Sequence, residues 1–171
     1  MFTVEEHWFR NLDQELITLI KELQKDTTFN KNWPNFKIVS AWRPNKTKDK
    51  PDWYIEKGRQ SQEELWNQKN KPYQVAKFSA HNVNPACAFD FDSGSGRSNH
   101  AACWADISKI AKSKNIKTTS TYPKGDPVHV QLSKYSRGSV SSSTIAALSS
   151  FDNVDKLVVE LKKSITVTAT T

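Results

Sequence analysis

Ser79-Ala80-His81-Asn82-Val83-Asn84-Pro85-Ala86-Cys87-Ala88-Phe89-Asp90-Phe91-Asp92 places a histidine in a turn-rich segment and an aspartate in a short run that alternates like a strand. Successive side chains of a strand point to opposite faces. Read that way, Cys87, Phe89 and Phe91 share an apolar face, while Ala88, Asp90 and Asp92 share the other. The apolar face suits a core. The other carries carboxylates beside a small alanine that leaves room next to them, and a carboxylate withdrawn from water needs a partner.

A second stretch supplies that partner. Asp126-Pro127-Val128-His129-Val130-Gln131-Leu132 reads as a strand entered through a proline turn, with Val128, Val130 and Leu132 inward and His129 and Gln131 on the opposite side. His81, Asp90 and His129 then make a set of two histidines and one carboxylate. Such a set suits Zn2+ and leaves a fourth position for water. Asp126, three residues before His129, is a further carboxylate placed to take a proton from that water. The expected chemistry is metal-assisted hydrolysis.

The motifs Ser79-x-His81, Ala88-x-Asp90 and Asp126-x-x-His129 resemble those of the zinc peptidases of the D-alanyl-D-alanine carboxypeptidase and L-alanyl-D-glutamate endopeptidase family, which includes many bacteriophage endolysins. The family pattern is S-x-H-x-x-G-x-A-x-D followed by E/D-x-x-H. The resemblance implies that His81, Asp90 and His129 bind zinc and that Asp126 is the catalytic base. It also matches Ile38-Val39-Ser40-Ala41-Trp42-Arg43 to the family's strand ending in an arginine that assists a substrate carbonyl or carboxylate. Gln60-Ser61-Gln62-Glu63-Glu64-Leu65-Trp66 matches its glutamine-containing helix. The likeness runs from Phe36 to Leu132. Asn84-Pro85-Ala86 stands where the family has a glycine, Pro127-Val128-His129-Val130 where it has Pro-His-Phe, and the segment between Arg43 and Gln62 is longer.

With 171 residues the chain is long enough for one domain with a substantial core and an appendage. The formal charge of +7 and pI near 9.4 favour polyanionic surroundings such as anionic cell-wall polymers, nucleic acid or anionic lipid. Cys87 and Cys103 have neither metal-ribbon nor disulfide-framework spacing, and Cys87 falls on the core face as a buried thiol. No apolar run has the length of a membrane span, and Met1–Arg10 is no signal peptide. The expectation is synthesis in a host cytoplasm and action at the bacterial cell wall, or carriage in a virion.

Along the chain, Thr3-Val4-Glu5-Glu6 predicts a capping box for an amphipathic helix carrying Phe9, Leu12, Leu16, Leu19, Ile20 and Leu23, ending near Lys25-Asp26-Thr27. Phe36–Trp42 reads as a strand leading to Arg43, and Pro44–Tyr54, rich in lysine and proline, as an exposed loop. Ser61-Gln62-Glu63-Glu64 is a second capping box opening a short helix, and residues 67–78 form a loop. Ser93-Gly94-Ser95-Gly96-Arg97 reads as a flexible loop without a phosphate-binding pattern. From Asn99 a helix with Ala102, Trp104, Ile107, Ile110 and Ala111 runs to Lys114-Asn115. His100 at its start is expected to be exposed rather than a ligand, Asp92 to be solvated or to orient a ligand histidine, and Lys117–Tyr122 to be a strand.

Beyond Leu132 the composition turns to serine. Ser133–Ser143 reads as a linker, Asp155–Lys163 as a short helix, and Ile165–Thr171 as an alternating tail. These readings give an α+β fold, a small antiparallel sheet flanked by helices and carrying the zinc site, in a catalytic domain over 1–135 with a Ser-rich linker and appendage over 136–171. The expected function is a peptidase that cuts peptidoglycan stem peptides. Two other classes compete. A fold-conserving virion protein without activity would share the motifs, and a nucleic-acid-binding module would use the basic charge and the six tryptophans and four tyrosines. The tryptophans are scattered and no compact basic-aromatic run exists, so nucleic acid is not the expected partner.

Overall fold

A computed structural model describes residues 1–68, 79–125 and 127–135. The loop expected over 67–78 lies almost wholly outside the described residues, as do Asp126 and the appendage expected over 136–171. Elements follow the order α1 Gln14–Lys25, α2 Thr27–Asn32, β1 Lys37–Ser40, α3 Asp52–Glu56, α4 Gln62–Trp66, β2 Ala88–Asp92, α5 His100–Ser113 and β3 Val128–Gln131. The fold is α+β, with an antiparallel sheet ordered β1-β2-β3 and helices around it. Among the described residues no helix is long and apolar enough to cross a membrane.

The first helix starts later than its sequence suggests. Thr3-Val4-Glu5-Glu6 does not form a capping box; a single 3₁₀ turn, Glu6–Phe9, follows it with no side-chain cap. Asn11 then takes a left-handed φ of 56° and interrupts the helical path. On either side of Leu12 the backbone pairs with Ala86, which donates to the Asn11 carbonyl at 2.7 Å and accepts from the Asp13 N–H at 3.0 Å. Asp13 is the true cap, its carboxylate accepting from the Glu15 N–H at 2.9 Å. From there Leu16, Leu19, Ile20 and Leu23 recur every third or fourth residue and are fully buried. Each such side chain contributes roughly 1.5–3 kcal/mol by leaving water. Asp26 ends this helix and caps α2 through the Phe29 N–H, 2.7 Å away.

The sheet forms where the alternation predicts it. β2 is the central strand, and its Phe89 and Phe91 are fully buried, as are Val128 and Leu132 of the β3 segment. Ala88 is buried too, although it shares a face with Asp90. Phe91 stacks on Phe36 at 5.4 Å between ring centroids, and Phe36 meets Phe2 and Phe29 edge-on. Helix α5 lays Cys103, Ile107 and Ala111 into the same core, and Trp33 at the end of α2 reaches it with an indole N–H bond to Asp106 of 2.8 Å. The segment expected as the strand Lys117–Tyr122 contributes only a bridge between Thr118 and Leu132.

Pro44–Tyr54 is exposed only in part, at Thr47, Lys48, Asp49 and Asp52. Asn45, Lys46 and Tyr54 are buried, and the segment coils through a 3₁₀ turn at Thr47–Asp49 into α3. Its backbone is anchored to α4, whose Gln62 and Glu63 N–H groups donate to the carbonyls of Pro44 and Asn45 at 2.9 and 2.8 Å. The capping box at α4 is present, Ser61 and Glu64 each bonding the other's backbone N–H. The Ser93–Arg97 loop is ordered by polar contacts. Asp92 accepts from the Gly94 N–H at 2.8 Å, and Ser93, itself buried, bonds His100 at 2.8 Å. His100 is therefore buried, contrary to expectation, and Asp92 closes a turn rather than orienting a histidine. Gly94 has φ 74°, and a Cβ there would fall 2.2 Å from the Asn35 carbonyl oxygen, so only glycine fits.

Candidate metal centre

Sheet register assembles most of the site. In the antiparallel ladder Asp90 of β2 stands opposite Ser40 of β1 on one side and His129 of β3 on the other. Cross-strand partners project on the same face, so the three form a row on the face away from the phenylalanines. His81 joins from the turn before β2. Asn82 shapes that turn, its side-chain oxygen accepting from the Ser79 N–H at 2.7 Å. The Cys87 N–H bond to the Ala80 carbonyl, 2.9 Å, then fixes the turn beside the strand.

His81 Nε2, His129 Nδ1 and Asp90 Oδ1 form a near-equilateral triangle with sides of 3.1, 3.2 and 3.0 Å. Ligands of a tetrahedral zinc ion at 2.0–2.1 Å stand about 3.3–3.4 Å apart. The triangle is close to one face of that tetrahedron. The proton arrangement of His81 also fits. Its Nδ1 lies 2.7 Å from the Ala41 carbonyl oxygen, which can only accept, so Nδ1 carries the hydrogen and neutral Nε2 presents a lone pair to the centre. Among the described residues, His81, Asp90 and His129 are the histidine, cysteine and acidic side chains grouped so that they could hold a metal ion. Exposure rises across the triangle, from 5% for the His81 side chain to 14% for Asp90 and 28% for His129, so it opens to solvent on the His129 side.

The electrostatics are those of a carboxylate between two imidazoles. Burial would raise the Asp90 pKa, but His81 and His129 together hold it well below the usual carboxylate range. Burial lowers His81. Burial also opposes a proton on His129, yet its bond to Asp90 outweighs this and raises it. A proton on His129 balances the Asp90 charge. Metal ligation requires neutral imidazole, so an ion would take that proton's place.

Arg43 stands at the margin of the triangle, and its charge disfavours protonation of both histidines. Its guanidinium donates to Gln62 Oε1 at 2.9 Å and to Ser40 Oγ at 3.0 Å. Gln62 is buried and also accepts from Asn82 at 3.3 Å, linking α4 to the turn that carries His81. Ser40, Asn82 and the Ala41 carbonyl escaped the sequence reading. The only available signal was their nearness to Arg43 and His81, because backbone acceptors leave no mark in residue type. Cys87 is buried as expected, its thiol pushed up to about 12 by burial, and both cysteines are free.

Comparison of the chain with models of protein families, with curated proteins and with solved structures gives no match.

Proposed function

We propose that this protein is a zinc-dependent peptidase of the D-alanyl-D-alanine carboxypeptidase type, which hydrolyses a peptide bond in peptidoglycan stem peptides as a phage endolysin or virion-associated lysin does. The observation that carries this reading is the triangle of His81 Nε2, Asp90 Oδ1 and His129 Nδ1, with the His81 lone pair turned inward by the Ala41 carbonyl. Two nitrogens and one carboxylate oxygen, open on one side, are the donor set of catalytic rather than structural zinc. Zinc held there supplies Lewis acidity toward a carbonyl and lowers the pKa of water.

The chain's own groups do the rest. Asp126, three residues ahead of His129 in the sequence, accepts a proton from the attacking water and returns it to the leaving amine. Arg43 presents a planar fork of donors to a substrate carboxylate or to the oxyanion that develops on the scissile carbonyl. Gln62 and Ser40 hold that fork in place before substrate arrives. The formal charge of +7 favours approach to an anionic wall, an attraction that salt weakens.

The test joins metal analysis to digestion of purified peptidoglycan, read by mass spectrometry for new amino ends. The parent is expected to bind about one zinc per chain and to release such ends. The His81→Ala, His129→Ala double variant is expected to retain none. Asp126→Ala should keep zinc and lose at least 100-fold in cleavage, within the usual range for a general base. Wall lysis by Asp126→Ala at the parent's rate would remove Asp126 from the mechanism. Zinc without new ends would mark a peptidase-like protein that has lost activity.

A further inference from the structure

The backbone fixes the hydrogen on His81, whereas among the described residues a side chain does so for His129. Its Nδ1 faces Asp90 and His81, and its Nε2 lies 2.9 Å from the side-chain oxygen of Gln131, two residues along β3. Residues two apart on a strand share a face, so His129 and Gln131 both project on the side of Asp90. Gln131 stands opposite Ala88 in the ladder, and the small alanine leaves the amide beside the imidazole. An amide oxygen accepts and cannot donate. It therefore requires the hydrogen on Nε2 and leaves the Nδ1 lone pair for the centre.

We propose that Gln131 is the positioning residue that makes His129 a metal ligand, by fixing the ring's orientation and the nitrogen that carries its hydrogen. The inference rests on the metal reading above and deepens it. The two histidines are prepared by unlike means, His81 by a main-chain carbonyl that mutation cannot remove and His129 by a side chain that mutation can. Partners of this kind on ligand histidines typically govern metal affinity by 10–100-fold. Glutamine is also the weaker of two possible acceptors here. A carboxylate at the same place would accept more strongly and raise the basicity of the ligand nitrogen, whereas an apolar chain of equal length would leave the ring free to present either nitrogen.

Zinc affinity, measured by competition with a chromophoric chelator, separates the variants without recourse to activity. Gln131→Met keeps the volume and removes the acceptor, and is expected to bind zinc 10–100-fold more weakly. Gln131→Glu is expected to bind roughly tenfold more tightly than the parent. A role in packing alone would weaken both variants or neither, and either result would overturn the proposal. Cobalt(II) absorption gives a second readout, since Gln131→Met should shift or broaden the bands of the parent's cobalt form while Gln131→Glu keeps them sharp. Thermal unfolding of the metal-free variants checks that each is folded. A parent that takes up no zinc brings down the metal reading itself; a parent that binds, with both variants within twofold of it, brings down only the role of Gln131.

Discussion

Two regions meet at the candidate centre and are held by different forces. The sheet with α1, α2 and α5 is joined by apolar side chains, the cluster of Phe2, Phe29, Phe36 and Phe91 above all. The segment from Pro44 to Trp66 packs Tyr54, Leu65 and Trp66 and sets Trp53 and Tyr54 against Trp42, but much of it is knit by polar bonds. Lys50 reaches Glu64 at 2.6 Å and the Arg59 carbonyl at 3.1 Å, Thr47 bonds Ser61 and Glu63, and the Tyr54 hydroxyl donates to the Gln60 carbonyl. The first region sets Asp90 and His129. The second holds Arg43 through Gln62. The Asp90–His129 pair and the Arg43 fork thus rest largely on different contacts, joined through Ser40 of β1 and the bond between Asn82 and Gln62. One should weaken more than the other when either region is disturbed.

The largest separation is expected from Phe91→Ala. Removing a fully buried aromatic from the central strand costs about 3–5 kcal/mol, a large share of the 5–15 kcal/mol typical of a domain. Urea unfolding should show that loss, and metal content should fall with it, because Asp90 is the next residue of the strand. Retained zinc at parental affinity would mean that the triangle does not depend on the apolar body.

Ser61→Ala probes the other region. Loss of the N-cap at α4 is expected to cost about 1 kcal/mol, to leave zinc affinity within twofold, and to lower peptide cleavage by loosening Gln62 and Arg43. Equal loss of metal and of cleavage would show the two regions to be one cooperative unit.

The smallest effect is that of pH on the metal-free protein. His129, raised in the fold, contributes stability that is whole below the ordinary 6.5 and fades as pH rises through its folded value. His81, lowered, contributes in the opposite sense, gaining as pH rises toward 6.5. The two act on opposite sides of 6.5, so the urea midpoint of the metal-free protein should rise toward that pH and fall above it. Asp90, held below its ordinary 3.8, supplies stability that is lost only as pH falls beneath that value. Zinc, if held at the triangle as proposed, would compete with the His129 proton, and the stabilisation it adds should fade from above pH 6.5 downward. A midpoint that instead climbs steadily above pH 6.5 without metal would contradict a His129 pKa raised in the fold.

Much of the apolar region is legible in the sequence because its rules are periodic. Phe89 and Phe91 against Asp90, and Val128 and Val130 against His129, declare the strands and their faces, and the cross-strand register follows from short antiparallel pairing. The polar region is less legible. Lys46 and Asn45 look like surface residues by type, yet the chain folds over them because α4 offers backbone donors at Pro44 and Asn45. The start of α1 misleads for a similar reason, since a left-handed Asn11 can override an apparent cap that has no bond to make. His100 next to glycines suggests exposure, but the buried Ser93 hydroxyl meets it. Long-range polar partners of this kind have no period and leave no trace until the chain is folded.

One small arrangement reaches further than its size. The Arg43 N–H donates to the His81 carbonyl at 2.9 Å, while the His81 ring donates to the carbonyl of Ala41, only two residues back, at 2.7 Å. The chain on either side of Trp42 thus grips one histidine twice. Any drift of this strand end therefore carries the His81 ring and the Arg43 backbone together, while Gln62 and Ser40 place the guanidinium at its far end.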